Sequence, residues 1–269
     1  EQITCDDLCV AIGDARLISL AAYVCNSWCG GVALEAMPLD EVAFLEGALI
    51  PRALDVGDKT QMVDVRPNVH HALLDLSLAV SPVDSEAARY ARVLMVGAAV
   101  IGSEREFSDL WDSADALMAD DPEVLSERLF SAAKIRGQTI ASTALAVRQA
   151  IDYGKVFASA IEQLTHGACA PSVALAEGMG FAARLSVAQE KLELDDMLAQ
   201  DDLFDMLGIG ALQCDIDPAE LVAALKAERF ARSNRFLVAL PFGFGRVRMA
   251  SVEDELLAEH AAAWCAAHR

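Results

Sequence analysis

At 269 residues, with 54% apolar side chains, the chain has enough material for a self-sufficient core and too much for intrinsic disorder. No apolar run reaches the ~18 residues of a membrane span. Twenty-one Lys and Arg against 41 Asp and Glu give a net charge of −20, a field that repels phosphate backbones and anionic lipid. The charge is also uneven. Residues 104–127 hold nine acids against Arg105 alone, whereas 226–248 carry Lys226, Arg229, Arg232, Arg235, Arg246 and Arg248 against Glu228 alone. Seven cysteines, an odd number in apolar surroundings, read as reduced thiols of a cytosolic chain.

In chain order, helix-start signals recur: Thr4 with Asp7, Ser81-Pro82 with Asp84, Asp121-Pro122-Glu123, Asp217-Pro218 with Glu220, and Ser251 with Asp254. Helices are predicted over about 4–12, 15–29, 39–50, 68–79, 83–101, 105–118, 122–135, 144–165, 172–200, 202–207, 218–232 and 252–267. Residues 51–67, bounded by Pro51 and Pro67 with a Gly57-Asp58 turn, read as a loop. Phe236–Leu240 is β-prone, Pro241–Gly245 is a turn, and 246–249 alternates polar and apolar, which predicts a β-hairpin over 236–249. The expected fold is mostly α: a multi-helix bundle with one C-terminal hairpin, divided into a helical region 1–165 and a helical region with hairpin 166–269.

Three constellations carry candidate chemistry. Cys5-x3-Cys9 and Cys25-x3-Cys29 place two thiols on one face of each of two helices, a metal-ligand spacing. Twin Cys-x3-Cys pairs resemble those of the small mitochondrial import chaperones, over residues 5–29 only. The reading taken is four buried, reduced and metal-free cysteines. The second constellation is Asp195-Asp196 followed by Asp201-Asp202-Leu203-Phe204-Asp205. On one continuous helix Asp195, Asp202 and Asp205 share a stripe, an arrangement that holds Mg²⁺ against a diphosphate. Asp-Asp-x-x-Asp resembles the aspartate-rich motif of class I isoprenoid synthases. That resemblance implies an all-α, Mg²⁺-dependent enzyme acting on a phosphorylated or isoprenoid ligand through residues 201–205.

The third constellation is the C-terminal order of helices, hairpin and helix. It resembles a winged-helix module, with 218–232 as recognition helix and 236–249 as wing. Lys226, Arg229, Arg232, Arg246 and Arg248 then form the binding face. The net charge disfavours nucleic acid and favours a protein partner, leaving a winged-helix nucleic-acid-binding regulator as an alternative. No Gly-x-Ser-x-Gly is present, and Gly178-Met-Gly180 and Gly208-Ile-Gly210 lack a strand-to-helix setting. With no convergent catalytic set, the leading expectation is a non-enzymatic, cytoplasmic interaction protein, an adaptor or regulator, with no cofactor. Mg²⁺ belongs only to the aspartate-rich alternative.

Overall fold

The computed structural model describes residues 3–50, 53–57, 59–63, 69–230 and 235–269. Its amino-terminal part is α/β, which corrects the expectation of a helical bundle. Strand β1 (Leu8–Gly13), helix α1 (Ala15–Ser27) and strand β2 (Ala33–Pro38) form a parallel βαβ unit. Strand β5 (Val69–Ala72) pairs parallel with the other side of β2, giving the order β1-β2-β5. Strands β3 (Leu54–Val56) and β4 (Lys59–Val63) make a separate antiparallel pair where a loop is predicted.

The local signals explain the difference. The Thr4/Asp7 cap is real, since Thr4 N–H donates to Asp7 Oδ2 at 2.7 Å, but it closes a turn that leads into a strand. Val10 and Ile12 then favour extended backbone. Ile18, Ala22, Cys25, Leu34 and Ala36 pack between α1 and the sheet as a small core. The predicted helix 39–50 shortens to a π-helical turn at Ala43–Ala48. Gly47 permits this turn: a Cβ there would lie 2.8 Å from the Cα of Ala15. The predicted helix 68–79 begins instead as β5.

The rest is a helical body. Helix α2 (Glu86–Gly102) is its axis, with Val93, Leu94, Met95 and Val96 buried in succession, as expected of a helix enclosed on all sides. Helices α3 (Glu104–Asp112), α4 (Ala114–Met118) and α5 (Pro122–Ala141) follow, then a short α6 (Leu145–Arg148), a 3-10 turn (Gln149–Asp152) and α7 (Lys155–Leu164). The predicted helix 172–200 divides into α8 (Pro171–Ala188) and α9 (Leu194–Met206), because Glu190 takes φ 56° between them. Helix α8 runs against the start of α7 so closely that a Cβ on Gly178 would meet Gly154 O at 2.2 Å.

Helix α10 (Pro218–Phe230), the hairpin β6 (Leu237–Pro241) and β7 (Val247–Ser251), and α11 (Asp254–Ala267) complete the chain. The hairpin is part of the core. Ala239, Leu240 and Val247 are buried, Gly245 N–H donates to Val100 O at 2.8 Å, and Phe244 stacks on Phe107 at 4.1 Å. A wing stands free to touch a partner, so this packing corrects the winged-helix expectation. No helix among the described residues is long and apolar enough to cross a membrane.

Glu46, on the π-helical turn, joins the two parts. Its Oε1 accepts from Arg136 Nη2 of α5 at 3.0 Å and from Lys155 Nζ of α7 at 3.2 Å. Arg136 Nε also reaches Leu45 O at 3.3 Å. Burial by itself raises the Glu46 carboxyl, but Lys155 and Arg136 outweigh it and hold the group down at about 2. A carboxylate whose folded pKa lies below its unfolded value stabilises the fold above the unfolded value. It loses that contribution as pH falls from 4.5 to about 2. Glu46→Gln strands two cations at a buried junction and should lower the unfolding free energy by about 3–5 kcal/mol at pH 7. Urea unfolding of wild type and variant at pH 7, 4 and 3 checks this. The gap between them should narrow as pH falls, and a gap independent of pH would refute the assignment.

Candidate active site

In open parallel sheets ligands bind at the carboxyl ends of the strands. Here β1 ends at Gly13 and β2 at Pro38, and Leu39 N–H donates to Gly13 O at 3.1 Å. Helix α1 starts at this edge, with Asp14 as its N-cap accepting from Leu17 N–H at 2.8 Å. The segment after β2 is fixed in place by its own acids. Asp40 caps Ala43 N–H at 2.6 Å, and buried Glu41 accepts from Ser81 N–H and hydroxyl at 2.8 and 2.7 Å. It thereby presents Glu46 to Arg136 and Lys155. Two cations on one carboxylate leave a net positive charge, and the Lys155 side chain is one third exposed. Lys134 on α5 and Arg148 at the end of α6 are exposed nearby in sequence.

Other ionisable groups of the helical body serve the fold. Buried Arg92 donates to Leu207 O at 2.9 Å and Val83 O at 3.0 Å. Glu86 accepts from Ser172 N–H at 2.7 Å and from its hydroxyl at 2.9 Å, and so caps α8, whose own N-cap residue is Ala170.

The residues singled out from sequence are dispersed. Lys226 pairs with Asp254 at 2.9 Å, Arg229 is buried, Arg246 and Arg248 are exposed on the hairpin, and Arg232 lies outside the described residues. Asp195 and Asp202 are exposed on α9, and Asp201 is paired with Arg184 at 2.7 Å. Asp205 is exposed on the same helix. The cysteines do not stand as two helical pairs. Cys9 lies on β1 and Cys25 on α1, close enough that the Cys9 thiol adds to burial in raising Cys25 to about 11. Cys5 and Cys29 are exposed, and all seven thiols are free.

No protein-family model matches the chain. It is 23% identical over 230 residues to the 3-dehydroquinate synthase of Dehalococcoides mccartyi, and 24% identical over 241 residues to that of Saccharopolyspora erythraea. These alignments cover 84% and 87% of this chain, and the chain spans 64% of the length of either relative. Among solved structures it matches the 2-epi-5-epi-valiolone synthase of Streptomyces hygroscopicus with NAD⁺ and Zn²⁺ bound, at a TM-score of 0.80 and 15% identity. That match covers 97% of this chain and 73% of the other. It matches 2-deoxy-scyllo-inosose synthase complexed with carbaglucose-6-phosphate, NAD⁺ and Co²⁺ at a TM-score of 0.76 and 18% identity, covering 94% and 72%.

The chain therefore shares the α/β fold of these two synthases, with a parallel sheet at its amino-terminal end. Relatives that are enzymes by sequence and by fold overturn the expectation of a non-enzymatic adaptor. Neighbours that bind NAD⁺ and a divalent metal overturn the expectation of no cofactor.

The two groups fit this chain differently. NAD⁺ fits the backbone: β1, a tight turn and α1 give the strand-to-helix geometry on which a diphosphate rests, although Asp14 already caps the Leu17 amide. Asp14 opposes it by charge. A divalent metal does not fit. Among the described residues no three His, Cys, Asp or Glu side chains converge. The junction offers one carboxylate already held by two cations, whereas Zn²⁺ and Co²⁺ take imidazole, thiolate or carboxylate donors.

Asp14, Glu46, Arg136 and Lys155 were not singled out from the sequence. Gly13-Asp14 after an apolar stretch was the available signal, masked once 4–12 is read as helix. Asp14→Ala should cost about 1 kcal/mol through loss of the α1 cap, while Asp14→Ser, which keeps an acceptor oxygen, should stay near wild type. Denaturant midpoints of the two variants decide it; equal losses would mean that the cap is not what Asp14 provides.

Proposed function

We propose that the chain acts as an enzyme of the sugar-phosphate cyclase type, taking a phosphorylated sugar or closely related polyol at the junction between the sheet edge and the helical body. The observation that carries this reading is similarity to 3-dehydroquinate synthase along 84% of the chain, joined to a fold match with two further cyclases. The geometry supports it with charge. A chain of net charge −20 attracts an anion only where cations are concentrated, and Lys155 and Arg136 outnumber Glu46 at the junction. In this reading Lys155, free of Glu46 on its remaining N–H groups, donates to the phosphate.

NAD⁺ belongs to the proposal, held at the β1–α1 turn by the first amides of α1. When bound it supplies a hydride acceptor. Asp14 weakens that hold, so the dinucleotide binds loosely. A cytoplasmic setting accords with seven free thiols.

The test is calorimetric titration with glucose 6-phosphate, glucose and NAD⁺, with product formation from the sugar phosphate followed by mass spectrometry in the presence of NAD⁺ and either Zn²⁺ or Co²⁺. Glucose 6-phosphate should bind at least ten-fold more tightly than glucose, and Lys155→Met should erase that preference while Arg136 keeps Glu46 paired. Asp14→Ser should bind NAD⁺ several-fold more tightly than wild type. A wild-type protein with no preference for the phosphorylated sugar would overturn the reading.

A further inference from the structure

A cavity of about 340 Å³ lies between α8, α9 and α11 and shares no lining residue with the junction at Glu46. Its volume falls in the range of small-molecule sites. It stays open because Gly180, Ala263 and Ala267 add little bulk where the three helices face one another. One wall is aromatic, from Phe181, Phe204 and Trp264.

The polar groups on that wall are ordered by one another. The Trp264 indole N–H donates to Glu177 Oε2 at 2.9 Å, and His268 Nε2 meets the same oxygen at 3.1 Å. His268 Nδ1 faces the Trp264 carbonyl at 2.7 Å. Both ring nitrogens therefore face acceptors, which selects the doubly protonated imidazolium. The Glu177 hydrogen bond is the main reason that His268 titrates above its ordinary value. Both donors land on Oε2, so Oε1 of Glu177 keeps its acceptor capacity. Across the cavity, Arg184 Nη2 pairs with Asp201 Oδ2 at 2.7 Å.

These two ion pairs cancel. His260 adds no charge, since burial lowers it below its ordinary value. Asp205 remains, so the cavity carries one excess negative charge beside the indole and phenyl rings. Carboxylate oxygens next to an aromatic wall are the chemistry that recognises an amine with an apolar body.

We propose that this cavity binds a small organic cation, a primary ammonium on a compact apolar group. The ammonium sits between Glu177 Oε1 and Asp205, and the apolar body lies along Phe181, Phe204 and Trp264. The site is separate from the sugar-phosphate junction and does not depend on it.

Calorimetry with phenethylamine, phenethyl alcohol and phenylacetate tests the proposal, since the three share a body and differ in charge. Phenethylamine should bind saturably and at least ten-fold more tightly than either of the others. Asp205→Asn, a change at an exposed position, should weaken it at least five-fold, and Ala263→Leu should abolish it by filling the cavity. Saturating glucose 6-phosphate should leave the affinity unchanged, which keeps this result distinct from that at the junction. Equal binding of amine and alcohol, no binding of the amine, or undiminished binding in Asp205→Asn would each overturn it.

Discussion

Glu46 is the contact on which the arrangement of the molecule turns. A carboxylate at a buried junction loses several kcal/mol of hydration, and only well-placed cations offset that. Arg136 and Lys155 come from two helices, and the carboxylate comes from the turn that follows β2. The three meet only if that turn is tight. Its tightness rests on Gly47 lying against the first residue of α1, on Asp40 capping Ala43, and on Glu41 gripping Ser81. A chain of short-range constraints thus delivers one charge to the helical body and fixes how the sheet edge faces it. The position of Lys155 is set by the same contact.

The helical body shows the same economy on a different face. Gly154 and Gly178 allow α7 and α8 to approach at backbone distance, and Phe157 stacks on Phe181 at 4.1 Å as a result. The Tyr153 hydroxyl lies 2.7 Å from Gln200 Oε1 and 3.1 Å from Met179 O, tying α9 to α8 from within. The opposite stripe of α8 meets α11 through Glu177, which accepts from Trp264, while the small residues Gly180, Ala263 and Ala267 leave the space beside that contact open.

Much of the helical body was legible because its signals are local. Asp121-Pro122 starts a helix where a cap is observed, the start expected at Ser81-Pro82 falls four residues later at Ser85 because Ser81 is held by Glu41, and the hairpin from Phe236 onward pairs β6 with β7. The amino-terminal unit was not legible, and the reason is physical. Leu8, Val10 and Ile12 are each more than half exposed, while Cys9 and Ala11 pack inward. With large apolar residues on the open face, hydropathy alternation disappears, and Thr4 with Asp7 supplies a cap that looks helical. Once β1 is lost and residues 68–79 are read as helix, β2 has neither of its partners, and the parallel sheet vanishes from the reading. The junction was out of reach for another reason: Glu46 stands 90 residues from Arg136 and 109 from Lys155.

Charge joins these observations. A net charge of −20 argues against an anionic ligand when it is averaged over the chain, and that average supported an interaction protein. A ligand meets only the charges within about 8–10 Å, since those farther away are screened at physiological ionic strength. Counted by their own pairs and lining side chains, the junction and the cavity differ in sign. At Glu46 two cations outnumber one carboxylate, and between α8, α9 and α11 the pairs cancel to leave Asp205 in excess. Both results follow from which acids already have partners, something a residue count does not record. The local sign is therefore set by the pairing of the acids, which differs between the junction and the cavity.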